Sequence, residues 1–205
     1  AVHERCASLD MNIQTVSPLE WWANGITALS VFLAAAGHIL TWPIGIVGSV
    51  LFGALFLEAH LYADFTLQGF FIVTSLIGWH QWRKAGGPSQ AARVHPLSGW
   101  RLIGMSLMAI TVAIAYGGIL HYWTDAFAPF WDSAILMGSV LAQILLMRGH
   151  HQTWPAWLVV NTLSVPLYLQ RQLPITALLY TLFWFNACWG WWRWHRLSRI
   201  TSQAR

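Results

Sequence analysis

The amino-acid sequence predicts an all-α integral membrane protein. Seven transmembrane helices are expected, as two parallel three-helix repeats about a pseudo-twofold axis along the membrane normal, joined by one further helix. Of 205 residues, 57% are hydrophobic and only 9% charged, where a soluble domain carries roughly a quarter charged. The apolar residues fall in continuous runs, most close to the ~20 residues a helix needs to cross a bilayer. The second half of the chain also repeats the first at a fixed offset of 112 residues. Two cysteines, Cys6 and Cys188, exclude a disulfide framework and a thiolate metal cluster. The net charge of +4 comes from basic residues gathered at span ends, a topology signal that sets nucleic-acid binding aside.

Residues 1–20 are polar, with Glu4, Asp10, Pro18 and Glu20, and hold no signal-peptide apolar core. Met11 fits a native start, with Ala1–Asp10 either a non-native leader or an upstream extension. Spans follow at 22–40, 42–58, 61–82, 100–121, 130–148, 154–170 and 173–195. Backbone groups in lipid must pair within their own segment, and continuous rather than alternating apolar runs favour helices over a barrel. The organisation expected is a first repeat at 21–83, a polar linker at 84–99 containing Gly86, Gly87, Pro88 and Pro96, a linker helix at 100–121, a second repeat at 130–195 and a basic tail at 196–205. Arg83, Lys84, Arg93, Arg101, Arg148, Arg193, Arg196, Arg199 and Arg205 fall on the carboxy-terminal side, against Arg5 and Arg171 on the other. Positive charge stays in the cytoplasm, so the amino terminus is expected outside and the carboxy terminus inside.

The repeat is legible letter by letter. His38-x-x-Thr41-Trp42-Pro43 aligns with His150-x-x-Thr153-Trp154-Pro155, and Gly78-Trp79-x-x-Trp82 with Gly190-Trp191-x-x-Trp194. Leucine-rich helices match one another by chance, but two such tryptophan blocks at one offset do not. Three spans per repeat and one linking span bring both copies through the membrane in the same sense. Parallel repeats of this kind belong to transporters, with the substrate site near the midplane where the copies meet.

Polar side chains at mid-span usually face the bundle interior or a wet cavity. Thr74 and its repeat mate Asn186, and Ser49 with its mate Asn161, lie at one depth in spans three, seven, two and six. Gln68 sits about a turn and a half further out on span three. Amides both donate and accept, which suits a neutral hydroxylated or carboxamide ligand. Interhelical hydrogen bonding explains Ser49 and Thr74 adequately; Asn161, Asn186 and Gln68 are the stronger candidates for ligand contact, with Thr74 as the symmetric partner. Of fifteen tryptophans, Trp21, Trp22, Trp100, Trp192 and Trp194 are expected in the interfacial belt. Trp154 and Trp157, three apart at the start of span six, are either further belt residues or a candidate clamp for a flat or cationic ring, worth ~0.5–2 kcal/mol per contact. Trp184 lies too deep for the belt and is either a further candidate or a ring facing lipid. Of the nine histidines, His38, His60, His80, His121, His150, His151 and His195 sit near span ends, with no H-x-x-x-H or H-E-x-x-H spacing. A nucleophile elbow and a phosphate-binding glycine loop are missing too. The expectation is therefore a transporter with no cofactor, working by facilitated diffusion. The competing classes are a histidine-metal membrane enzyme and a non-transporting receptor.

Leu61-Tyr62-Ala63-Asp64, Gln68-x-x-Phe71 and Gly78-Trp79-x-x-Trp82 in span three, with Trp42-Pro43, Trp154-x-x-Trp157 and Gly190-Trp191, resemble the Pnu family of vitamin transporters over residues 18–197. The resemblance implies a SWEET-like fold in a bacterial inner membrane and a homotrimer with one pathway per subunit. It further implies uptake of an unphosphorylated vitamin that cytoplasmic phosphorylation then traps. In the members that carry nicotinamide riboside, a tryptophan pair of span six and polar residues of spans three and seven touch the ligand, and Trp154, Trp157, Gln68 and Asn186 match those positions. Thiamine also has a cationic ring, and riboflavin and deoxynucleosides are carried by relatives, so the ligand within the family stays open.

Overall fold

The structure, a computed structural model, describes residues 18–58, 62–84, 94–123, 128–170 and 174–203. The helices are α1 (Pro18–Ala35), α2 (Thr41–Glu58), α3 (Tyr62–Lys84), α4 (Gly99–Trp123), α5 (Pro129–Met147), α6 (Thr153–Gln170) and α7 (Pro174–Gln203). Each expected span has its helix. The polar segment 1–17 and linker residues 85–93, with Arg93, lie outside the described residues, as do His60 and Arg171.

The first and last helices differ from their expected bounds for physical reasons. The first helix starts at Pro18, whose fixed φ suits an opening turn, and stops five residues short of position 40. Gly37 takes φ 63°, which a Cβ disfavours. It donates to Ala34 O at 2.8 Å while His38 donates to Leu33 O at 2.8 Å, the paired bonds of a Schellman stop. The last helix runs on to Gln203 instead of ending near 195. Arginine is a good helix former, and Arg196 covers the Trp192 ring at 5.0 Å.

The α1 stop recurs 112 residues later at the end of α5. Gly149 has φ 74°, and Gly149 and His150 donate to Leu146 O and Leu145 O, both at 2.9 Å. The next contact recurs as well: Thr41 Oγ1 donates to Ser30 O at 2.8 Å, and Thr153 Oγ1 to Ala142 O at 2.8 Å.

Consecutive helices pack as α1–α2–α3 and α5–α6–α7, and the two bundles meet where α1 lies on α7 and α3 on α5. These two contacts exchange under the same offset. Helix α4 stands outside, on α5, where Gly117 lets the Phe130 ring approach: a Cβ there would sit 2.7 Å from the ring. The small residue changes partner between bundles. In the first, Gly48 of α2 admits Thr27 of α1; in the second, Gly138 of α5 admits Val160 of α6.

Among the described residues, α4 and α5 are long and apolar enough to cross a membrane by length and composition. The outer surface is oily throughout: Val50, Leu57, Leu76, Ile103, Leu107, Met108, Ile114 and Phe185 are all exposed. In water so large an apolar surface drives association; in lipid it is the ordinary exterior.

The core lies at the end of the bundles where α1 and α5 stop. Four indoles form a row across it. Trp42 meets Trp82 edge-on at 5.1 Å, Trp82 meets Trp194 at 5.8 Å, and Trp194 meets Trp154 edge-on at 5.5 Å. The row reads the same from either end, since Trp154 and Trp194 are the offset mates of Trp42 and Trp82. Gly78 and Gly190 make the space: a Cβ on either would lie 2.6–2.8 Å from the ring of Trp42 or Trp154 respectively. Trp194 is thus a core residue at 0% exposure, which corrects its assignment to the interfacial belt. Trp21, Trp22, Trp100 and Trp192 are exposed, as a belt position requires.

Candidate functional site

Of the mid-span polar residues, Thr74 and Asn186 lie at the two contacts between the bundles. On α3, Thr74 is buried; its hydroxyl donates back to Phe70 O at 2.8 Å and accepts from Gln143 Nε2 of α5 at 3.4 Å. On α7, Asn186 Nδ2 donates to Val31 O of α1 at 3.1 Å. Thr74 and Asn186 are offset mates, and so are Val31 and Gln143. One polar cross-link therefore occurs twice, with the amide on α7 in one seam and on α5 in the other. One turn beyond Asn186, Trp189 stacks on Phe32 of α1 at 5.2 Å and 15°.

Asn161 faces inward on α6 at 3% exposure, in line with Trp157 four residues before it and the fully buried Ser164 three after. Its amide makes no hydrogen bond to another described residue. Pro166 interrupts the same helix and removes the N–H that would bond Thr162 O. Gln68, half-buried on α3, lies beside Gly53 of α2, whose Cβ would come within 3.8 Å of Gln68 Cβ. Ser49 is buried on the inner face of α2.

The candidates thus separate. Thr74, Asn161 and Asn186 are directed into the protein, and Gln68 and Trp157 are half-buried on the same two bundles. Trp154 is not open to a ligand as it stands: at 2% exposure its ring is closed between Gly190 and Trp194. Trp184 turns to a different face of α7 from Asn186, and its Nε1 donates to Thr162 Oγ1 at 3.1 Å, an exposed partner on α6. Gln143 was not singled out from the sequence. The signal was present, an amide in the middle of the apolar run 130–148, but its repeat mate is Val31, so symmetry gave no hint.

Histidines pair at the end of the bundles next to the indole row. The His95 and His150 rings lie 4.5 Å apart and those of His151 and His195 5.5 Å apart. Burial, then the nearby His95, lowers the pKa of His150 below its ordinary 6.5. Burial, then His195, does the same for His151. The folded state therefore favours the neutral rings, and the unfolded chain binds more protons just below pH 6.5. Stability from this source is present above pH 6.5 and lost as pH falls through the lowered values. The unfolding temperature in detergent should drop on going from pH 7.5 to 5.5, and His150→Gln with His151→Gln should flatten that slope; an unchanged slope would rule the pair out as its cause.

The sequence profile described as "Nicotinamide mononucleotide transporter" matches residues 17–196. The nicotinamide riboside transporter PnuC of Escherichia coli (strain K12) is 26% identical over 185 residues, covering 78% of this chain and 77% of that protein. The riboflavin/roseoflavin transporter RibM of Streptomyces davaonensis is 26% identical over 184 residues, covering 88% and 85%. The crystal structure of the vitamin B3 transporter PnuC shares the fold with a TM-score of 0.69 at 21% identity, over 87% of this chain and 83% of that one.

Proposed function

The chain belongs to the nicotinamide mononucleotide transporter family, and from that premise we propose that it takes up nicotinamide riboside across a bacterial inner membrane. The family is one of transporters, not enzymes. The substrate is supported by the name of the PnuC relative. The transport reading is carried by one observation, the polar cross-link that occurs twice at the contacts between the bundles. In this reading residues 21–83 and 130–195 are parallel repeats about an axis along the membrane normal, and 100–121 is the helix that joins them. The amino terminus is outside and the carboxy terminus, with its arginines, in the cytoplasm. Rocking of one bundle against the other exposes the seam to each side in turn, and phosphorylation in the cytoplasm holds the product there. Each subunit of a homotrimer carries its own pathway.

Within the site, Asn161, Asn186 and Gln68 supply donors and acceptors for a carboxamide and ribose hydroxyls, and Thr74 with Gln143 completes the polar ring. Trp157 supplies the aromatic face for the cationic pyridine. Trp154 buttresses Trp157 from within the core, and Trp184 steadies α7 on α6. Riboflavin is the second reading, favoured by the match to RibM along most of this chain.

A thermal-shift panel of nicotinamide riboside, thiamine, riboflavin and nucleosides discriminates the ligands, since one that binds only the folded state raises its stability. Nicotinamide riboside is expected to give the largest shift and to drive counterflow in proteoliposomes; a response to riboflavin alone would move the assignment. Asn161→Ala should weaken nicotinamide riboside binding about tenfold, the value of one or two kcal/mol, with little change in unfolding temperature. Asn186→Ala should lower both, because the same amide ties α7 to α1. Affinity unchanged in Asn161→Ala would remove that residue from the site.

A further inference from the structure

A groove of about 510 Å³ lies at the end of α4 and α5, lined among others by Ser98, Trp100, Arg101, Met105, Met108 and Arg148. Its floor is fastened. Gln152 brackets Leu97, accepting from its N–H at 3.1 Å and donating to its carbonyl at 2.9 Å, and His95 N–H donates to Gly149 O at 3.1 Å. Val94, just before, is anchored in the aromatic core at 3% exposure. The extended segment is thus held against the α5–α6 turn, and the groove is part of the fold rather than a passing gap.

Its chemistry is two-sided. Arg101 and Arg148 are exposed, and no carboxylate is among the described residues lining the groove. Arg101 sits in the first turn of α4, where the helix dipole adds positive potential. Both guanidinium groups keep their charge at any pH near neutral, so the arginines supply the positive potential. From the same mouth runs a wall of Trp100, Met105 and Met108, continuing down the same exposed face of α4 through Val112 and Ile119. The offset mate of Arg148 in the first repeat is Ala36, so the paired charge is not duplicated there.

We propose that this groove binds the phosphate of an acidic phospholipid, with Arg101 and Arg148 on the headgroup and the acyl chains lying along α4. Paired guanidinium groups suit phosphate oxygens, and basic recesses between helices at the membrane surface hold such headgroups. A soluble phosphate would satisfy the arginines and leave the tryptophan and methionine wall bare. The inference rests on the chain spanning a membrane and not on which vitamin it carries, so failure to bind nicotinamide riboside leaves it standing.

The test uses the full chain in mild detergent, with native mass spectrometry after mixing with phosphatidylglycerol or phosphatidylcholine. Wild type is expected to retain phosphatidylglycerol preferentially. Arg101→Gln with Arg148→Gln should reduce that retention at least tenfold, about 1 kcal/mol per arginine, whereas Arg83→Gln, a basic site off the groove, should not. Equal retention by the double variant, an equal loss in Arg83→Gln, or no preference over phosphatidylcholine would each overturn the assignment. Inorganic phosphate at millimolar concentration should leave the unfolding temperature unchanged in wild type; stabilisation by phosphate with no lipid preference would make this a site for a soluble anion. Because the readout is a ratio between two lipids, general destabilisation of a variant does not mimic the result.

Discussion

Trp154→Ala is expected to lower the unfolding temperature of the detergent-solubilised protein by on the order of 10 °C, while Trp157→Ala lowers it far less and impairs transport instead. Removing a fully buried tryptophan costs ~3–5 kcal/mol, and in a chain of this size each kcal/mol moves the midpoint by roughly 2–4 °C. Trp154 is 2% exposed, edge-on to Trp194 and flat against Gly190, so its loss opens a hole at the centre of the indole row. Trp157 only flanks that core. Two tryptophans three residues apart should thus give opposite phenotypes, one in stability and one in uptake. If Trp154→Ala unfolds at the wild-type temperature yet loses uptake, the ring is serving a ligand and not the core.

Gly78→Ala and Gly190→Ala are each expected to destabilise by ~1–3 kcal/mol, the usual cost of overpacking a filled core. The added methyl would lie 2.6–2.8 Å from carbons of the Trp42 or Trp154 ring, and neither ring has room to retreat, being packed edge-on against Trp82 or Trp194. Gly25→Ala and Gly118→Ala are the controls: a Cβ at either meets nothing within 4 Å, and alanine gains up to ~1 kcal/mol of helix propensity over glycine. Equivalent losses at 78 and 190 against neutral or positive changes at 25 and 118, read by thermal unfolding, would show that the duplicated contacts matter equally in both halves. A neutral Gly190→Ala would mean that the ring of Trp154 has another place to go.

Number and order of helices were legible because lipid imposes a length and an apolar exterior on every span. The chain reversal at Gly37 was not legible, since the apolar run carries the expected first span through it to position 40; the bonds that form it and its mate at Gly149 needed coordinates. Tryptophan was the weak point. At a span end the residue serves a headgroup belt and a core equally well, and Trp192 and Trp194, two residues apart on α7, face in different directions: one is exposed and the other fully buried. The expected clamp failed to open at Trp154 for the same reason, since a glycine on another helix, Gly190, decides where that ring lies. Depth along a span put Thr74 and Asn186 at equivalent places, and their bonds to α5 and α1 follow that equivalence. It could not reveal Gln143, whose partner in the first half is an apolar valine contributing only its backbone carbonyl.

The meeting of Trp82 with Trp194 gives the molecule a built-in optical probe. Each ring comes from the same position of a different half, so no movement that parts the halves at this end can leave the pair intact. Water reaching the row would find the indole N–H groups of Trp42, Trp154 and Trp194, which have no acceptor among the described residues. Emission from these rings should therefore be blue in the closed arrangement and shift to the red as that end opens, a change to be read once the exposed tryptophans are replaced by phenylalanine.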